Sequence, residues 1–284
     1  SMLASTFYGG SSGDGLWPSS VHAVDSNGNI YITGMTASSD LPMTSGTYDT
    51  TYNGGDADAY VAKFAPDLKT LLAATFIGGS GYDAALAIQV GSDGYIYLAG
   101  DTGSTDFPVT PGSYDTTHNG NSQSPYGVGD VFVARLSPDL TQLTTATFIG
   151  GSGHDIPKKM LINDSGQYVI TGHTNSGDFP VSATAYQATK AGGAQGEDCF
   201  VAVLSAEMTD LTAATFLGGS EDDFCEGLCV NSAGDIFIGG WVRSQDFPTT
   251  AGAYDTDYNG HYYDGFVSRF SSDLSTLTAS TYLG

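Results

Sequence analysis

Apolar positions fall in short blocks between small polar ones, and no stretch keeps a helical period. Ala85 to Val90 is apolar or small save for Gln89, which suits a strand buried on both faces. Gly91-Ser92-Asp93-Gly94 then reads as a tight turn in which glycine supplies positive φ. Tyr95 to Gly100, with alternating aromatic and aliphatic residues, is the return strand of a hairpin. A long irregular segment runs from Asp101 to Gly129. Asp130 to Leu136 gives a third strand, Ser137-Pro138-Asp139-Leu140 a turn with proline in a favoured place, and Leu143 to Ile149 a fourth strand.

The same order occurs in the rest of the chain. The other hairpin turns are Asp25-Ser26-Asn27-Gly28, Asp164-Ser165-Gly166 and Ser232-Ala233-Gly234. The other third strands are Asp58 to Phe64, Asp198 to Leu204 and Asp264 to Phe270. A Thr-aromatic-X-Gly motif starts at Thr6, Thr75, Thr147, Thr215 and Thr281, at intervals of 69, 72, 68 and 66 residues. All but the last, clipped copy run on into Gly-Ser. A fixed period of this length marks a repeat architecture. Four antiparallel strands per unit predict an all-β fold, a β-propeller of four-stranded blades. Solenoid coils are usually much shorter. The expectation is a single domain over 1–284, with repeat units 6–74, 75–146, 147–214 and 215–280 and a terminal strand 281–284. Leu3 to Tyr8 is an extra copy of the fourth strand. In a closed ring it and Thr278 to Leu283 would seek the same outer place. A self-contained four-bladed ring is expected, because open blades invite aggregation; the alternative is a fragment of a larger propeller.

Several motifs recur together at fixed spacing. In the second unit they are Gly78-Gly79-Ser80-Gly81-Tyr82-Asp83, Ser92-Asp93-Gly94-Tyr95-Ile96-Tyr97-Leu98-Ala99-Gly100, Thr102-Gly103-Ser104-Thr105-Asp106-Phe107-Pro108-Val109-Thr110 and Asp130-Val131-Phe132-Val133-Ala134-Arg135-Leu136. This pattern resembles the SBBP-type bacterial beta-propeller repeat along essentially the whole chain. The resemblance implies a propeller within a secreted or cell-surface protein, and carries over no shared catalytic residues. That family is named for seven blades, whereas four units are counted here.

Composition narrows the partners. Hydrophobic residues are 40% of 284, enough for a sizeable core. Net charge is −23, from 8 Lys and Arg against 31 Asp and Glu. Such a surface repels phosphate backbones and anionic lipid, which argues against nucleic acid or membrane partners, and it attracts cations. Solubility outside the cell is the plain reading of the charge, and calcium the specific one. No run of 18 apolar residues occurs and no signal peptide is visible, while Ser1-Met2 reads as an expression remnant. Cys225 and Cys229 lie about 13 Å apart along a strand, too far to bridge each other. Cys199 could pair with one of them, or all three could be free. The chain is expected to be a monomer or part of a larger multidomain protein.

Candidate chemistry lies in the loops. In a propeller the Gly-Gly-Ser loops and the long loops between the second and third strands share one face, and loops on a rigid scaffold are where binding usually lives. Asp14, Asp83, Asp155 and Asp223 follow the Gly-Gly-Ser motif and could offer oxygen ligands to Ca2+; the alternative is that each caps its own loop. Asp40, Asp106, Asp178 and Asp246, with Asp58, Asp130, Asp198 and Asp264, read as structural clips because they recur. Tyr48, Tyr114, Tyr186 and Tyr254 also recur and read as wedges. Tyr126, Trp241, Tyr262 and Tyr263 do not recur and suit stacking on a sugar. Lys158 and Lys159 replace apolar residues of the second unit and could meet an anionic ligand or the acidic ring. His154-Asp155 could act as a general base pair, but the five histidines show no catalytic spacing. The expected function is a non-catalytic extracellular binding module for a glycan or protein. The alternatives are a polysaccharide hydrolase or lyase using loop carboxylates and a calcium-stiffened spacer.

Overall fold

A computed structural model describes residues 4–15, 22–120, 129–192 and 196–284. Among these the chain is all-β, with no helix, and its strands form four antiparallel sheets, each a propeller blade. Blade one holds β1 (Asp14–Gly15), β2 (His22–Val24), β3 (Ile30–Thr36), β4 (Asp58–Phe64) and β5 (Leu71–Ile77). Blade two holds β6 (Asp83–Val90), β7 (Ile96–Thr102), β8 (Asp130–Leu136) and β9 (Leu143–Ile149). Blade three holds β10 (Asp155–Ile162), β11 (Tyr168–Thr174), β12 (Asp198–Leu204) and β13 (Leu211–Leu217). Blade four holds β14 (Asp223–Val230), β15 (Ile236–Val242), β16 (Asp264–Phe270) and β17 (Leu277–Leu283). Contacts divide the chain into two compact units, Ser1–Phe148 and Ile149–Gly284, of two blades each.

Local chemistry explains these elements. Gly94, at φ +81°, closes the β6–β7 hairpin where an L side chain would be strained. The inner strands β6, β10 and β14 each carry a bulge that leaves Leu86, Lys158 or Glu226 without a cross-strand partner in the register. In blade one β1 and β2 both pair with β3. The extra fourth-strand copy is not a strand over its described residues. Instead Tyr8 packs on Tyr60 and Phe64, and its hydroxyl donates to Pro42 O at 2.7 Å. The C-terminal copy, β17, takes the outer place in its own blade.

Each unit has a core between its two blades. In the first, Ala59, Val61 and Ile77 meet Ala85, Ile88 and Leu98. In the second, Cys199, Val201 and Leu217 meet Cys225, Ile236 and Ile238. Each fully buried Val, Leu or Ile contributes roughly 1.5–3 kcal/mol. The apolar residue of the Asp-X-Pro motif is driven under the long loop, where the Phe107 ring stacks on Phe132 at 4.5 Å. Of the four tyrosines read as wedges, Tyr254 is 89% exposed and fills no such place. Tyr48 and Tyr186 each donate a backbone N–H to a turn leucine of the following blade, Leu140 O at 2.7 Å and Leu274 O at 2.9 Å. Those leucines sit at φ 58° and 57°, a left-handed conformation costing about 1–2 kcal/mol, and their complete burial offsets it.

The Gly-Gly-Ser loops are held by carboxylates. Gly79 N–H donates to Asp83 Oδ2 at 2.7 Å, and Ser80 N–H and Oγ–H donate to Asp106 Oδ1 at 2.8 and 3.0 Å. Ser104 Oγ accepts from Gly81 N–H and donates to Asp83. The same pairs recur as Asp14 with Asp40, Asp155 with Asp178 and Asp223 with Asp246. A Cβ on Gly79 would lie 2.4 Å from Asp106 Oδ1, so the loop requires glycine there. The acids that open the third strands clip the long loops: Asn53, Asn119 and Asn259 N–H bond Asp58, Asp130 and Asp264, and Ala191 N–H bonds Asp198.

One disulfide, Cys199–Cys225, joins β12 to β14 with Cα atoms 5.3 Å apart, and Cys229 is free and exposed. A loop of this size constrains the unfolded chain by about 3–4 kcal/mol. We expect the Cys199→Ala/Cys225→Ala double variant to lose about that much in denaturant unfolding, and an unchanged midpoint would refute the cross-link. A second prediction follows from burial. It pushes the Asp58 carboxyl up from 3.8 to about 7, aided by the Asp83 and Asp49 charges, and Asp223 up to about 6. Between pH about 4 and 7 the folded chain therefore holds protons the unfolded chain has released, and these groups make stability fall as pH rises. The acids lowered by their Ser amides, Asp40, Asp106, Asp178 and Asp246, act in the opposite sense at lower pH. Asp58→Asn keeps an acceptor for Asn53 and should flatten the fall, measured as urea midpoints across that window; an unchanged slope would count against the assignment.

Candidate functional site

With the recurring acids and tyrosines assigned to the frame, function is sought where the repeats differ. Three positions per blade stand together at the ends of the strands: the residue before the inner-strand aspartate, the penultimate residue of the second strand, and the residue before the third-strand aspartate. In order they are Gly13, Met35 and Ala57; Tyr82, Asp101 and Gly129; His154, His173 and Glu197; and Asp222, Trp241 and Tyr263. The first and third positions are tied through the main chain. Ala37, Gly103, Asn175 and Arg243 N–H bond the carbonyls of Gly13, Tyr82, His154 and Asp222. Asp83 and Asp223 N–H bond those of Ala57 and Glu197.

The side chains at these positions interact differently in each unit. In the first, the Tyr82 hydroxyl lies 3.0 Å from Met35 Sδ. In the second, His154 Nε2 meets Glu197 Oε1, and His173 Nε2 lies 3.5 Å from Glu197 Oε2. His173 is held well below its usual pKa by burial, and then by the Lys158 and His154 charges, so it is neutral near pH 7. Its buried Nδ1 has no hydrogen-bond partner among the described residues. The His173 ring packs on Phe224 at 4.6 Å, Phe224 stacks on Trp241 at 4.0 Å, and Trp241 meets Tyr263 edge-on at 4.4 Å. Arg243 lies 6.0 Å over the Tyr263 ring and bonds Asp222 at 2.8 Å. Asp222 also accepts from Glu197 N–H at 3.3 Å. One connected set of side chains thus runs from blade three to blade four.

Blade four also holds a polar cleft of about 640 Å³, lined by residues that include Glu221, Arg243, Asp246, His261 and Tyr262. Of the sequence candidates, Tyr262 lines it and is 73% exposed, and Tyr263 is 54% exposed beside Arg243. Trp241 is half-buried between Phe224 and Tyr263, so it braces the aromatic row. Lys158 and Lys159 are half-buried on β10 and do not line the cleft. Tyr126 lies outside the described residues. Asp155 is engaged by Gly151, Ser176 and Thr174 of its own blade, and the carboxylate that meets His154 is that of Glu197. Asp14, Asp83, Asp155 and Asp223 each cap their own loop, and among the described residues no group of three or more His, Cys, Asp or Glu is arranged to hold a metal ion. Sequence reasoning missed Glu197, His173, Phe224, Arg243 and Asp222. Aligning the four units and marking where they disagree would have found them.

Residues 8–42 match a family model described as SBBP, a beta-propeller repeat. No curated protein matches the chain. The matched segment carries the Gly-Gly-Ser loop, the hairpin turn and the Asp-X-Pro motif, and the same residues build blades two, three and four. Residues 8–42 thus carry an SBBP-type beta-propeller repeat.

Proposed function

We propose that the chain is a non-catalytic binding module of a secreted or cell-surface protein, with a glycan as its ligand. The observation that carries this reading is the site on blade four. There, exposed Tyr262 and Tyr263 stand beside a polar cleft furnished with Arg243, Asp246 and Glu221. Aromatic faces take the C–H surface of a sugar, and flanking charged groups bond its hydroxyls. The buried Cys199–Cys225 disulfide suits an oxidising compartment, which supports the extracellular setting. The acidic surface suits the same setting.

The His154–Glu197 pair favours a second reading, cleavage of a polysaccharide, because a half-buried histidine against a carboxylate can move a proton. Glycan-array screening, followed by product analysis on each hit, separates the two: binding without turnover supports the first reading, and product that disappears in Glu197→Gln supports the second. For the first reading, Tyr262→Ala and Arg243→Ala should each weaken a glycan hit at least tenfold, about 1.4 kcal/mol. Lys159→Ala should leave it unchanged. Retained affinity in both of the first two variants, checked by calorimetry, would move the site elsewhere.

A further inference from the structure

Within each unit, the acid that opens a third strand lies beside the acid that begins the inner strand of the next blade. In the first unit these are Asp58 and Asp83, and in the second Asp198 and Asp223. The main chain fixes the pairing. Asp83 and Asp223 N–H donate to Ala57 O at 2.8 Å and Glu197 O at 2.7 Å, the residues just before Asp58 and Asp198. All four acids are fully buried. The Asp83 charge acts on Asp58, and the Asp198 charge on Asp223.

The second unit compensates its pair from within. Asp198 accepts Ala191 N–H on Oδ2 at 2.7 Å and Gly192 N–H on Oδ1 at 3.2 Å. The Lys190 charge favours its ionised form, and Lys190 Nζ is held by Gly192 O and Gly196 O at 3.0 and 2.7 Å. The first unit reverses this balance. Tyr52 stands in the place of Lys190 and Asp49 in the place of Gln187, so a cation is lost and an anion gained. Asn53 N–H bonds Asp58 Oδ2, but Asp58 Oδ1 has no hydrogen-bond partner among the described residues. Burial first, and then the Asp83 and Asp49 charges, push this carboxyl up to about 7. The Tyr52 phenol is raised too, by burial and then by the Asp58, Asp56 and Asp83 charges. A buried carboxylate oxygen left without a partner is costly, and it calls for a positive ligand.

We propose that a calcium ion at the junction of blades one and two does what Lys190 does in the second unit, with Asp58 Oδ1 as its anchoring ligand. Calcium takes carboxylate and carbonyl oxygens in flexible arrangements, which suits a site at the base of a long loop. The Asp83 and Asp49 charges add to its attraction. This is one site between two blades. It does not draw on a ring of the four inner-strand acids, whose carboxylates hold their own loops.

The test is calorimetric titration of the chelator-treated full chain with calcium chloride at pH 8, paired with thermal unfolding. One ion should bind per chain, and calcium at about a hundred times its Kd should raise Tm by about 5 °C. At pH 5, where a proton occupies Asp58, the rise should be smaller. Asp58→Asn keeps the bond to Asn53, so it should stay folded and lose the response. Tyr52→Lys supplies the ammonium of the second unit and should unfold at the same temperature with and without calcium. Asp67→Asn removes an exposed charge elsewhere in blade one and should respond as the wild type does. A wild-type chain that neither binds calcium nor gains Tm at pH 8 overturns the proposal. So does a response that survives in Asp58→Asn, or one that Asp67→Asn abolishes equally.

Discussion

Everything in this chain rests on a short crossing in which carboxylates receive loop amides. The chain must leave the outer strand of one blade and reach the inner strand of the next within about five residues, and those residues can make no ladder hydrogen bonds. Two aspartates per loop meet that demand, one from the strand being entered and one from the long loop beyond it. Unsatisfied buried amides would cost about 1–3 kcal/mol each. The pair also links three separated pieces of sequence: the crossing, the strand being entered and the long loop beyond it. The cost is carried by the entering acids, since burial drives Asp83 and Asp223 toward their neutral forms.

That division of labour separates frame from chemistry. Residues that bond the loops recur in every blade, while the residues able to meet a ligand do not. The two units differ accordingly. The first places a tyrosine against a methionine, and the second places two histidines and a carboxylate beside an aromatic row.

Much of the fold was legible because its signals are local. Hairpin turns, strand alternation and the period all lie within a few residues of one another, and β8 and β9 match their predicted bounds. What was not legible depends on register between distant strands. Cys199 and Cys225 are 26 residues apart, and only the pairing of two blades shows that they meet. His154 and Glu197 are 43 apart, and their contact follows from the main-chain bond between Asp223 and Glu197 no more than from sequence spacing. Trp241 reads as an exposed platform in sequence, but Phe224 lies across the ladder from it and covers one face. Leu140 reads as an ordinary turn residue, and its left-handed backbone becomes visible only with Tyr48 seated on it.

The main-chain ties at the variable rim positions have an evolutionary consequence. Gly13, Tyr82, His154 and Asp222 are all anchored by their carbonyls, whatever their side chains. Substitution there leaves the anchoring bond intact and changes what the rim presents. A lineage built on such repeats can therefore acquire a new specificity by point changes at a few addresses per blade, without first passing through a misfolded ancestor.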